Sequence, residues 1–124
     1  MSLAEYFENT KGLGVLATSD AEGNVNMALY GRPHVIDEST VAFIMNQRIS
    51  YANVQANPKA SYLFVEHTEG YKGTRLYLKK TKESDDQELI ASARRSEHGH
   101  GSKEPAQKHL VYFEIVRTRP LVGG

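Results

Sequence analysis

Arg48, Ser50 and Asn53 fall close together in the stretch 41–64, and their types and spacing fit the capture of an anion. Arginine carries a permanent charge on a planar fork that grips phosphate through two hydrogen bonds. A serine at a helix start can cap it by accepting from an early backbone N–H. The free N–H groups and the positive dipole end at that point also attract phosphate. The same residues have a plain reading, a helix cap beside a solvated charge, and the residues alone leave both open. Either reading needs a strand that stops, a polar turn and a helix start. Residues 41–45 are a continuous apolar run, long enough for a buried strand and too short for a helix. Asn46, Gln47 and Arg48 form the turn, Ser50 is placed as cap of a helix over 51–55, and Asn57-Pro58 ends it. The next strand starts at Ala60.

Ser2-Leu3-Ala4-Glu5 matches a capping box, and Leu3, Tyr6 and Phe7 give the short helix that follows an apolar side closed by Gly12. Residues 13–19 read as a strand and Asp20-Ala21-Glu22-Gly23 as a hairpin turn, with Gly23 free to take positive φ. On the return strand, Val25, Met27 and Leu29 are expected to face the core. Asn24, Asn26, Ala28 and Tyr30 then face a ligand or solvent. Gly31-Arg32-Pro33-His34 interrupts the ladder and can aim Arg32 and His34 out of the sheet, or leave them as ordinary strand-end polar residues.

The strand begun at Ala60 finishes over 62–66, and a second follows over 74–81. Lys72, Arg75, Lys79, Lys80 and Lys82 make the second of these the most basic part of the chain. Glu83, Asp85, Asp86 and Glu88 come next and would repel a polyanion, so a solvated face is favoured over nucleic acid for 79–82, with Lys72 and Arg75 kept as anion candidates. Ser84-Asp85-Asp86-Gln87 reads as a second capping box, with Arg94 and Arg95 at the negative end of its helix. Residues 96–107 are expected to be a flexible loop; His98 and His100 within it would support adventitious metal binding only. The final strand, 109–116, has apolar residues on both faces. One face is expected to close the core and the other to meet a second copy of the chain. Residues 117–124 are read as a tail.

Six or so short strands joined largely by hairpins point to a mainly β, largely antiparallel barrel with a few short helices, in one domain spanning 1–124. Fifteen basic residues balance fifteen acidic ones, so no global field argues for nucleic acid or an anionic membrane. The absence of cysteine excludes disulfides, thiolate metal sites and a cysteine nucleophile. No dinucleotide fingerprint, P-loop or nucleophile elbow is present. The amino end lacks a basic region followed by a long apolar run, so a cytoplasmic location is expected.

The ordered set formed by 16–23, the turn and Asn-Pro helix of 46–58, the strand 60–64 and Gly70-Tyr71-Lys72-Gly73-Thr74-Arg75-Leu76 resembles the pyridoxamine 5'-phosphate oxidase-like family, whose members are FMN-binding split β-barrels. The resemblance covers roughly 13–78 and implies FMN as cofactor. It places Arg48, Ser50 and Asn53 at the phosphate. Met27, Ala28, Leu29, Tyr30, Ile44, Met45 and Asn46 then surround the ring and ribityl chain, and Lys72, Arg75 or Arg32 stabilise the reduced ring. It further implies a homodimer with the site near the subunit interface, and an oxidoreductase acting on a small molecule that the sequence does not name. A non-catalytic binder of flavin, haem or another anionic ligand is the alternative. The chain departs from true pyridoxamine phosphate oxidases in lacking their carboxy-terminal Arg-x-His; it reads Arg117-Thr118-Arg119, which argues against vitamin B6 oxidation. Arg48 is followed by Ile49 where a basic pair is often found.

Overall fold

Ser2 caps the first helix, α1 (Leu3–Asn9): its Oγ accepts from the Glu5 N–H at 3.1 Å while Glu5 Oε1 accepts from the Ser2 N–H at 3.0 Å. This is the expected capping box, although the helix closes at Thr10 rather than Gly12. In the computed structural model, which describes residues 2–93 and 108–123, α1 leads into seven strands and two further helices. In chain order these are β1 (Gly12–Ser19), β2 (Val25–Leu29), β3 (His34–Asp37), β4 (Thr40–Asn46), α2 (Ile49–Ala56), β5 (Lys59–Glu66), β6 (Gly73–Ser84), α3 (Gln87–Ala93) and β7 (Lys108–Pro120). The expected loop 96–107, with His98 and His100, and the basic pair Arg94 and Arg95 lie outside the described residues.

The strands form one sheet in the order β2-β1-β5-β6-β7-β4-β3, and every neighbouring pair is antiparallel. Hairpins account for β1-β2, β3-β4 and β5-β6. The first is closed by Asp20, whose Oδ1 accepts from the N–H groups of Glu22 and Asn24 at 2.9 Å, and by Gly23 at φ 92°. Inward-facing side chains at alternate positions, Leu16, Phe43, Tyr62, Phe64, Leu76 and Phe113 among them, make the core. The sheet curls enough that Tyr30, just past β2 near one edge, sits edge-on to Phe43 of β4 with centroids 5.8 Å apart. Phe7 of α1 packs its ring against Phe64 and Tyr62 and plugs one part of this curl; Val54 of α2 joins the core elsewhere. A Cβ at Gly14 would collide with the Tyr62 hydroxyl and the Tyr30 carbonyl, so glycine is what lets that hydroxyl donate to Gly31 O at 2.9 Å.

Several elements differ from the sequence reading. β6 runs on to Ser84 and β7 to Pro120, so the first half of the expected tail is strand; each keeps antiparallel partners along this added length. The α3 cap is Asp86, not Ser84. Its Oδ1 accepts from the N–H groups of Glu88 and Leu89 at 3.0 and 3.3 Å, while Ser84 Oγ accepts from Asp86 N–H. The second apolar face of β7 is largely covered from within the chain, because Leu110 packs with Ala42 and with Ile90 of α3, and Tyr112 lies against them. On β2 the sidedness is the reverse of the expectation: Val25, Met27 and Leu29 are 80%, 73% and 70% exposed, while Asn26 and Ala28 are half-buried. The strand does alternate, but the apolar face of this edge strand points away from the chain's own core.

A candidate cofactor cleft between the edge strand and the start of helix α2

β4 delivers its last residue, Asn46, to a tight turn in which the Arg48 N–H donates to Asn46 O at 2.8 Å. Arg48 then occupies the N-cap position of α2 in extended backbone, without a side-chain cap of its own. Ser50 was expected to cap the helix but does not; it lies one residue inside it and is buried. Its side chain is hydrogen-bonded to Tyr30 instead. Without a side-chain cap, the first N–H groups of α2 keep the donor character and positive dipole that favour an anion.

These residues border an open cleft of about 520 Å³ lined by Asn26–Gly31 of the β2 region together with Ile44, Asn46, Arg48, Ile49 and Ser50. That volume lies within the range of about 300–1,000 Å³ usual for cofactor pockets. Burial pushes the Tyr30 hydroxyl pKa up, against the opposing effects of the Ser50 hydrogen bond and the Arg48 charge, so it stays a neutral donor at physiological pH. Asn46 Oδ1 accepts from Lys108 Nζ at 3.0 Å, which brings a second cation to the rim. The donor set is thus a guanidinium, the Tyr30 hydroxyl with Ser50 donating to its oxygen, helix N–H groups and a nearby ammonium at one end, and the side chains of Ala28, Leu29 and Ile44 elsewhere. Such a set fits an amphipathic ligand with a phosphate, as FMN is. Among the described residues, no carboxylate or histidine lines the cleft. A second open groove of about 500 Å³ lies over the outer face of β1, β5 and β6, lined mostly by apolar atoms and by Val25, Tyr77 and Val116.

Of the sequence-predicted residues, Met27, Ala28, Leu29, Tyr30, Ile44, Asn46, Arg48 and Ser50 are brought together here. Five are not. Met45 is fully buried in the core, since β4 alternates and Met45 shares its inward face with Phe43. Asn53 donates to Thr18 Oγ1 at 3.0 Å, both side chains buried, and ties α2 to β1. Arg32 donates to the carbonyls of Phe7, Glu8 and Thr10 at the end of α1, at 2.8, 3.3 and 3.3 Å. Arg75 donates to Pro120 O at 2.8 Å and to Gly123 O, fastening the end of the chain. Lys72 is exposed in the turn before β6. Sequence reasoning missed Ile49 and Lys108, and it left Asn26 as facing either a ligand or solvent. Asn26 was within reach, two residues from Ala28 on the same strand face; Lys108 was not, because it meets Asn46 only through the β4-β7 register.

No family model matches the chain, and no curated protein sequence matches it. Solved structures do. An FMN-binding protein from Syntrophomonas wolfei subsp. wolfei shares 18% identity at a TM-score of 0.78, over 98% of this chain and 84% of its own. An F420 reductase shares 14% identity at a TM-score of 0.74, over 96% and 98% of the two chains. A protein of the pyridoxinephosphate oxidase family from Clostridium acetobutylicum, related to a general stress protein, shares 12% identity at a TM-score of 0.67, over 94% and 83%. The agreement spans nearly the whole chain, and it identifies the fold as the split β-barrel of the pyridoxamine 5'-phosphate oxidase-like, FMN-binding proteins.

Proposed function

We propose that this chain is an FMN-binding redox protein whose cofactor lies in the cleft between β2 and the β4-α2 turn. The carrying observation is the convergence of Arg48, Ser50, Tyr30 and the uncapped start of α2 on one side of a cleft whose remainder includes apolar walls. Arg48 and the helix start hold the phosphate, Tyr30 donates beside it while Ser50 donates to the Tyr30 oxygen and orients it, and Ala28, Leu29 and Ile44 flank the ring and ribityl chain. The fold shared with an FMN-binding protein and an F420 reductase supports this reading. Bound flavin supplies hydride or electron transfer; the chain's own residues bind, orient and exclude water.

A second copy of the chain completes the assembly. Val25, Met27 and Leu29 form an exposed apolar row on an edge strand, and the neighbouring groove ends at Val116, itself 63% exposed. Edge strands of this kind are normally covered, and the ring would lie close to the covered row because Met27 and Leu29 also border the cleft.

The test is the visible absorbance spectrum of the purified protein before and after FMN addition, with Arg48→Ala alongside. Flavin bands, or saturable FMN binding that Arg48→Ala weakens by about ten-fold or more, are expected for loss of one charge-assisted phosphate grip. An unchanged spectrum with no binding overturns the reading. A flavin carrier without turnover is the second reading, since among the described residues no carboxylate or histidine lines the cleft. Reduction of the bound flavin by a nicotinamide followed by rapid reoxidation would exclude it; a flavin that no physiological donor reduces would establish it.

A further inference from the structure

Helix α2 carries the phosphate-binding edge of the cleft, yet it is only eight residues long and its one buried apolar side chain is Val54. A helix of that length does not hold itself in water; its position must come from tertiary contacts. Val54 and the Tyr51 ring pack on the core, and two polar contacts converge on one carboxylate. Tyr51 Oη donates to Glu83 Oε2 at 2.5 Å, and Gln55 Nε2 donates to Glu83 Oε1 at 2.6 Å. Tyr51 and Gln55 are four residues apart and so share one helix face. Lys80 Nζ also reaches Glu83 Oε1, at 2.6 Å, which fixes the acceptor from its own strand. The Tyr51 ring lies flat on the imidazole of His109, with centroids 3.9 Å apart and planes 5° from parallel, and His109 Nδ1 is 2.5 Å from Asp85 Oδ1. Glu83 lines no part of the cleft.

We infer that Glu83 is a positioning residue for the phosphate end of the cleft: by holding Tyr51 and Gln55 it fixes where α2 begins, and hence where Arg48 and Ser50 stand. This role rests on the FMN reading above. Tyr51 directly follows Ser50, so a shift of the helix at Tyr51 moves the serine, the arginine and the first N–H groups together. Apolar contacts of the ring with β2 and Ile44 are made by other strands and stay in place. Loss of Glu83 is therefore felt at the phosphate and not at the ring.

The experiment compares dissociation constants for FMN and for riboflavin, which lacks the phosphate, in the wild type, Glu83→Ala, Arg48→Ala and a control, Tyr6→Phe. The control removes a hydrogen bond from Tyr6 to Glu66, at 2.6 Å, well outside the cleft. Glu83→Ala is expected to lower the FMN-over-riboflavin preference by about ten-fold, the scale of one lost hydrogen bond to a charged group, with riboflavin affinity little changed. Tyr6→Phe is expected to lower thermal stability without altering the preference. A general loosening of the fold would weaken both ligands together. Should Glu83→Ala fail to fold, the double variant Tyr51→Phe, Gln55→Ala removes the donors while keeping the stacked ring and the Lys80 pair, and the same loss is expected. A wild type with no preference for FMN, or a preference that survives Arg48→Ala, overturns the flavin reading and this role with it. A preference that needs Arg48 but survives both Glu83→Ala and the double variant overturns the role of Glu83 alone.

Discussion

Arg32 and Arg48 have the same chemistry and different assignments. Arg32 reaches three carbonyls at the end of α1, where unsatisfied acceptors and the negative dipole end favour a cation. Replacing it by alanine is expected to lower stability by about 1–2 kcal/mol, through hydrogen bonds from a charged donor. Thermal unfolding checks this, and FMN titration of the same variant should show unchanged affinity; a large loss of affinity would return Arg32 to the cleft. Glu83 makes a pH-dependent contribution of its own. Burial alone would raise its carboxyl pKa, but the hydrogen bonds from Lys80, Tyr51 and Gln55 and the Lys80 charge outweigh it and bring it from 4.5 down to about 2. A depressed carboxylate pKa stabilises the fold above the unfolded value and loses that effect as pH falls through the folded one. The stability gap between wild type and Glu83→Gln is therefore expected to be constant above about pH 4.5 and to narrow toward pH 2. Denaturant unfolding across that range measures it, and a gap that widens on acidification would contradict the assignment. At alkaline pH the partner group behaves in the mirror sense: burial and Glu83 push the Tyr51 hydroxyl up to about 12, so it remains a donor throughout the working range.

Among elements, β2 is the one whose role turns on its surroundings. Its row of Val25, Met27 and Leu29 would be a core face on an interior strand, but at the edge of the sheet it is left 70–80% exposed. Lysine at Met27 would place a charge in the middle of that row without touching the chain's own core. Met27→Lys is expected to convert a dimer to a monomer in analytical ultracentrifugation while leaving the circular dichroism spectrum unchanged. A wild type that sediments as a monomer at tens of micromolar would remove the proposed interface. β7 shows the converse over its first part: at Leu110 the second apolar face is occupied within the chain by Ala42 and by Ile90 of α3, while Val116 further along stays exposed.

At the scale of the molecule, one antiparallel sheet curls so that the residue after β2 meets β4, with four strands between them in the hydrogen-bonded order. The cleft sits at that meeting, which is why residues near 30 and near 48 line it together. No helix among the described residues is long and apolar enough to cross a membrane.

The sequence by itself determined the local grammar: the Ser2 capping box, the Gly23 turn, the apolar run of β4, the polar turn at 46–48 and the stop at Asn57-Pro58. Each rests on interactions within a few residues, which a linear chain records. It also contained the period of β2, because alternation is a property of the strand alone. Only the tertiary structure decided which side of β2 is inward, that Ser50 faces Tyr30, that Arg32 and Arg75 close on backbone carbonyls, and that Glu83 holds α2. Those outcomes depend on partners 20 to 48 residues away. A long polar side chain takes whichever acceptor the fold brings within reach, and an alternating strand buries whichever face the sheet curls around; neither choice leaves a local trace.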